Sequence, residues 1–205
     1  LISIIFLAYI YSELCREIVQ QMKIATEHLL TQLKTDLDRQ IEQTRDLNQL
    51  SHEALNWRER TESWSVLECI EHLKRYNDFY IPEIRSKLGS APVKPNVQFR
   101  SGWLGNYFAK AMLPKEKLNK MNTFKEMNPL NSHLDSVLLA HFEQQLVALN
   151  ELVDTAKNYD LSKIKTSISI SKWIKLRLGD TFRVVVNHQT RHFVQIDNVI
   201  KVMPQ

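Results

Sequence analysis

Apolar positions along the chain fall mostly into runs with helical spacing. From about Met22 to Leu50, Ile24, Leu29, Leu33, Leu37, Ile41, Leu47 and Leu50 recur at steps of three and four, separated by charged and amide residues, with no Gly or Pro between them. That spacing predicts one long amphipathic helix. The stretch Ser51–Ser63 breaks the period. Ser65-Val-Leu-Glu68 then carries the pattern of a capping box, in which the Ser and Glu side chains satisfy free amides at a helix start. A second helix is expected to about Leu88 through Val66, Leu67, Ile70, Leu73, Tyr76, Phe79, Tyr80 and Ile84, with Pro82 bending its last turns. A third is expected from near Ser132 to Lys157, and a fourth, capped by Gly179-Asp180, to about Met203.

The connections are less regular. Gly89–Ser101 holds Pro92 and Pro95 and reads as a loop. Trp103–Leu113 reads as a short helix, and Pro114–Pro129 as a Lys- and Asn-rich excursion of the kind that often covers a site. Asp160–Lys172 alternates weakly, as an extended segment or a short helix, and Trp173–Leu178 is expected to form one or two helical turns. Four long helices with irregular connections predict an all-α four-helix bundle.

Composition narrows the class. With 205 residues, 43% apolar, 24% charged and only 4 Gly, the chain suits one domain built from helices. The formal charge of +4 is spread out. Its densest cluster, Lys115, Lys117, Lys120 and Lys125, is interrupted by Glu116 and Glu126, so a solvated loop is expected and nucleic acid is not a partner. Cys15 and Cys69 make no disulfide framework or zinc-knuckle spacing, which fits reduced thiols in the cytoplasm. Cys69 is expected as a buried core residue. Leu1–Tyr11 is strongly apolar yet about half the length of a bilayer span, so no membrane is expected. Met22 resembles an ordinary start, and residues 1–21 are expected to be an extension outside a domain of residues 22–205.

His188 and His192 are four apart in the last predicted helix, which puts both imidazoles on one face, close enough to share a metal ion. Val184, Val185, Ile196 and Val199 make that broad face apolar, so both histidines should point inward. An inward His needs a partner for each nitrogen, and a metal supplies one. His72, among Cys69, Leu73, Tyr76 and Phe79, is a third candidate ligand. Taken alone it reads better as a core histidine bonded to a tyrosine or a carbonyl, and the paired histidines on the last helix shift the balance toward a ligand. His52, His133 and His141 lack such a pairing and are expected to be structural or exposed, and His28 is expected to be a partly exposed helix residue.

The stretch Trp64-Ser-Val-Leu-Glu-Cys-Ile-Glu-His72-Leu, followed by His188-Gln-Thr-Arg-His192-Phe-Val-Gln-Ile196, resembles the DinB-like superfamily, which includes the YfiT-type metal-dependent proteins. The resemblance runs from about Met22 to Met203, with the N-terminal extension as its departure. It implies a four-helix bundle, often a homodimer, with a divalent metal ion on His72, His188 and His192. Imidazole ligands suit zinc or nickel, and iron as well. Relatives of this kind include thiol S-transferases and isomerases that use low-molecular-weight thiols such as bacillithiol or mycothiol. The resemblance therefore implies thiolate transfer to an electrophilic small molecule, with metal-dependent hydrolysis or a non-catalytic metal-binding stress role as alternatives. Gln195, one turn beyond His192, is expected to support the ligands. Arg191 is expected either to orient an anionic substrate group or to form a salt bridge at the bundle surface. Trp57, Trp64, Trp103 and Tyr107 are candidates for the pocket mouth, with core packing expected for at least two of them, and Tyr76 is a further pocket candidate.

Overall fold

The protein is described by a computed structural model covering residues 23–114 and 123–204. The expected extension, Cys15, Lys115, Lys117 and Lys120 lie outside the described residues. The chain opens with strand β1 (Lys23–Ala25), followed by α1 (Thr26–Leu47), α2 (His52–Asn56), α3 (Val66–Ser90), β2 (Gln98–Arg100) and α4 (Trp103–Met112). A 3-10 turn (Lys125–Met127) precedes α5 (Val137–Ala156), β3 (Lys165–Ile168), β4 (Ser171–Arg177) and α6 (Leu178–Val202).

The four long helices α1, α3, α5 and α6 form the expected bundle. Around it, α5 packs against α1 and α3, and α6 packs against the same two from the other side. Helices α1 and α3, consecutive among the long ones, therefore face each other across a diagonal. Their apolar stripes meet in a core that includes Leu37, Leu67, Ile70, Ile84, Phe142, Leu146 and Phe182, all fully buried. Among the described residues no helix is long and apolar enough to cross a membrane.

Several starts differ from the sequence expectation. The first helix begins at Thr26, because Lys23–Ala25 pairs antiparallel with Gln98–Arg100, a segment expected to be loop. The third begins at Val137 rather than near Ser132, where the Asp135 carboxylate accepts from the Val137 amide at 2.9 Å. Trp173–Leu178 does not form the expected turns, and only Leu178, the first residue of α6, is helical. The residues to Arg177 belong to β4, which pairs with β3 from Lys165↔Arg177 to Ile168↔Ser171 around an irregularity at Ser167/Ile168.

Nor does Gly179-Asp180 cap the last helix. The strand runs directly into α6, and carbonyls of the preceding segment replace a side-chain cap: Ile164 accepts from the Leu178 amide at 2.9 Å. That leaves the Asp180 carboxylate for another role. It accepts from the Ser101 hydroxyl, from the Gly102 amide at 2.7 Å and from Arg183 at 3.1 Å, and so ties the start of α4 to α6. Gly105 of α4 lies so close to Asp180 that a Cβ there would collide with the carboxylate. By these contacts α4 is held over the bundle next to the histidines.

Candidate metal centre

The second long helix starts with the capping box the sequence predicts: Ser65 Oγ accepts from the Glu68 amide at 3.2 Å, and Glu68 accepts from the Ser65 amide at 2.9 Å. Two turns later His72 is buried and faces α6. There His188 and His192, one turn apart, complete a cluster whose ligand nitrogens all lie within 4.8 Å of one another. Nε2 of His188 is 3.2 Å from Nε2 of His72 and 3.1 Å from Nε2 of His192.

The other ring nitrogens decide what this convergence means. Nδ1 of His72 donates to the carbonyl of Met127 at 2.7 Å, and Nδ1 of His192 donates to Oε1 of Gln195 at 2.9 Å. With their protons on Nδ1, both rings present bare lone pairs at Nε2. His188 has a single proton to offer, so it can satisfy at most one of its two facing nitrogens. A cation among them resolves the conflict. Three nitrogens bound to one ion at about 2.0–2.1 Å with tetrahedral angles stand roughly 3.3 Å apart, close to the two spacings seen here. The three histidines can hold a metal ion.

Electrostatics favours the neutral, ligating form. Burial pushes His72 down to about 4, with Arg75 adding to the effect against the opposing Met127 hydrogen bond. Burial, aided by neighbouring His72, brings His192 to about 3 and likewise holds His188 well below its ordinary value. Ring packing fixes the orientations. Trp64 stacks on His192 at 5.8 Å and 24°, and Tyr76 meets His188 edge-on at 4.7 Å.

The excursion between α3 and α5 does cover the site, through its 3-10 turn. Arg75 donates to the carbonyls of Glu126 and Asn128 at 3.2 Å each, and Trp64 Nε1 donates to Asn128 Oδ1 at 3.2 Å. Buried Glu68 accepts from the Asn131 amide at 2.6 Å and pairs with Arg58 at 2.8 Å. These bonds place the Met127 carbonyl on His72. Nothing in residue type marks a backbone carbonyl, so this partner of His72 has no signature in the sequence.

Beside His188 opens a cavity whose wall includes Tyr76, Asn77, Phe108, Phe124 and Gln189. Asn77 and Gln189 were not expected here, although each is a polar residue inside an apolar stripe. Arg191 is buried in α6, 7% exposed, rather than at the bundle surface, and it does not line this cavity. Cys69 is a fully buried core residue, and burial raises its thiol pKa far above the usual range. Trp103 and Tyr107 are exposed on α4, whose Phe108 and Met112 reach the cavity wall instead. His28, His52, His133 and His141 are all exposed.

A family model described as the DinB superfamily matches residues 36–196, a span that contains all three histidines. No curated protein and no solved structure matches the chain. With a family match over most of its length and the helical bundle in place, the chain belongs to the DinB superfamily.

Proposed function

We propose that the protein is a metal-dependent enzyme that transfers a low-molecular-weight thiol to an electrophilic small molecule, with His72, His188 and His192 holding a zinc or nickel ion. The observation that carries the reading is the convergence of three Nε2 atoms beside a cavity that His188 lines. An ion held there favours the deprotonated form of a thiol or of water, and so supplies a nucleophile at neutral pH.

The chain's own residues support that chemistry. Met127 and Gln195 keep protons on Nδ1 of His72 and His192, so both rings stay in the ligating tautomer. Trp64 covers His72 and His192 and limits the approach of water from its side. Tyr76, whose phenol burial pushes up to about 12, keeps its proton at neutral pH and acts at the cavity wall as a neutral group.

Elemental analysis of the native protein beside His188→Ala tests the centre. Near-stoichiometric metal in the first and little in the second is expected, and equal content would remove the reading. Thiol consumption with an electrophile, measured with and without chelator, tests the reaction. Chelator-sensitive consumption is expected. Chelator-sensitive turnover of an ester without thiol would favour hydrolysis, and a metal-loaded protein inert in both assays would favour the non-catalytic role. The same reading takes a homodimer in solution, which light scattering checks.

A further inference from the structure

The cavity beside the histidines has a volume of about 120 Å³. Apolar cavities on the order of 150 Å³ take up benzene, so this one is on the scale of a small ring. Leu73, Tyr80, Phe108, Met112, Ile168 and Val185 give it apolar walls, and exposed Phe124 and Ile170 stand at its rim. Among the described residues none of its lining side chains is Asp, Glu, Lys or Arg. A charged group entering it would lose its hydration and find no counter-charge on the walls that the described residues form.

Two buried amides interrupt the apolar lining. Gln189 Nε2 donates to Asn77 Oδ1 at 2.9 Å, and both residues are 1% exposed. Asn77 Nδ2 and Gln189 Oε1 have no partner. Turning both amides over reverses the bond between them and again leaves one amino group and one carbonyl oxygen over. Buried polar atoms of this kind are costly unless something completes their hydrogen bonds. Asn77 and Gln189 line the cavity together with His188, which joins it to the metal centre.

We propose that this cavity is the subsite for the electrophilic substrate, and that it selects an uncharged, mainly apolar molecule bearing a carboxamide-like donor and acceptor read by Asn77 and Gln189. A thiol carrying carboxylates or an ammonium group approaches the centre from elsewhere. The inference rests on the metal-dependent reading for where the reacting atom lies, while the subsite itself stands on the cavity and the amide pair.

Three probes sharing one ring test it by calorimetry: benzamide, benzoate and toluene. With the ion removed by chelator, so that it cannot coordinate a carboxylate, the protein should bind benzamide about tenfold more tightly than either of the others, the scale of one or two completed hydrogen bonds. Asn77→Leu combined with Gln189→Met removes both amides at similar volume and should reverse the preference between benzamide and toluene, with metal content unchanged. Benzoate bound as tightly as benzamide, or a preference untouched by the double variant, would overturn the proposal. So would equal binding of benzamide and toluene to the native protein, the result expected if the amides hold only water. Should the double variant fail to fold, Val184→Phe narrows the cavity from a half-buried wall and should abolish binding of both ring probes. Unchanged binding there would put the probes at another place and sink the idea. Native protein that lacks metal but shows the benzamide preference would defeat the metal-dependent reading and leave the subsite intact.

Discussion

His192 keeps its orientation through a side chain three positions further along α6. Gln195 accepts from its Nδ1 at 2.9 Å, which leaves Nε2 bare toward His188. We predict that Gln195→Leu lowers zinc affinity by about 10–100-fold, as loss of such a supporting bond commonly does. Competition against a chromophoric chelator measures this, and an unchanged affinity would mean that Trp64 stacking alone aligns the ring. The same burial has a consequence for pH. In metal-free protein, His72 and His192 sit near 4 and 3, whereas an unperturbed histidine titrates near 6.5. As pH falls below about 6.5, the unfolded chain takes up protons that the folded one refuses. Stability is therefore full above that pH and declines toward pH 4, with a loss at pH 5 on the order of 2–4 kcal/mol from the two groups. Urea midpoints of chelator-treated protein at pH 7.5 and pH 5 check it, and equal midpoints would contradict it. At this scale the sequence was informative about the three imidazoles, because an i,i+4 pair on an apolar face has few uses. It was silent on Met127, whose role lies in a carbonyl oxygen that every residue possesses.

Between elements, α4 and α6 meet in a close junction. It depends on a glycine opposite a carboxylate: Gly105 has no room for a Cβ beside Asp180. Gly105→Ala should push α4 outward, move Phe108 and Met112 in the cavity wall, and cost about 1–3 kcal/mol. A thermal midpoint several degrees lower is the expected reading at this chain length, and an unchanged one would show that α4 shifts freely. The four long helices were legible because each repeats its apolar positions over many turns. The two small sheets were not. Strands of three to seven residues give a period of two little length to register, and β2 lies in a Pro-containing stretch with only Phe99 buried. Trp173 and Ile174 belong to a strand whose outer residues face solvent, so their apolar character mimicked a helical turn.

For the molecule as a whole, periodicity revealed how many long helices there are but carried no information about which ones touch, and it missed the short α2. The ring order, with α6 seated between α1 and α3, emerges only from packing. That order brings one histidine from α3 to two from α6 and joins positions 116 apart in the chain. Closing a loop of that length costs about 4 kcal/mol of chain entropy, so the three nitrogens meet only after the last helix has docked. Contacts that form after the transition state govern unfolding rather than folding. Stopped-flow kinetics with zinc or with chelator should therefore show a slower unfolding limb in zinc and superimposable folding limbs. A folding limb accelerated by zinc would mean that His188 and His192 capture the ion on α6 before the bundle closes. On the late-docking order the centre behaves as a latch: fastened last, it sets how long the protein stays folded and has little influence on how fast it folds.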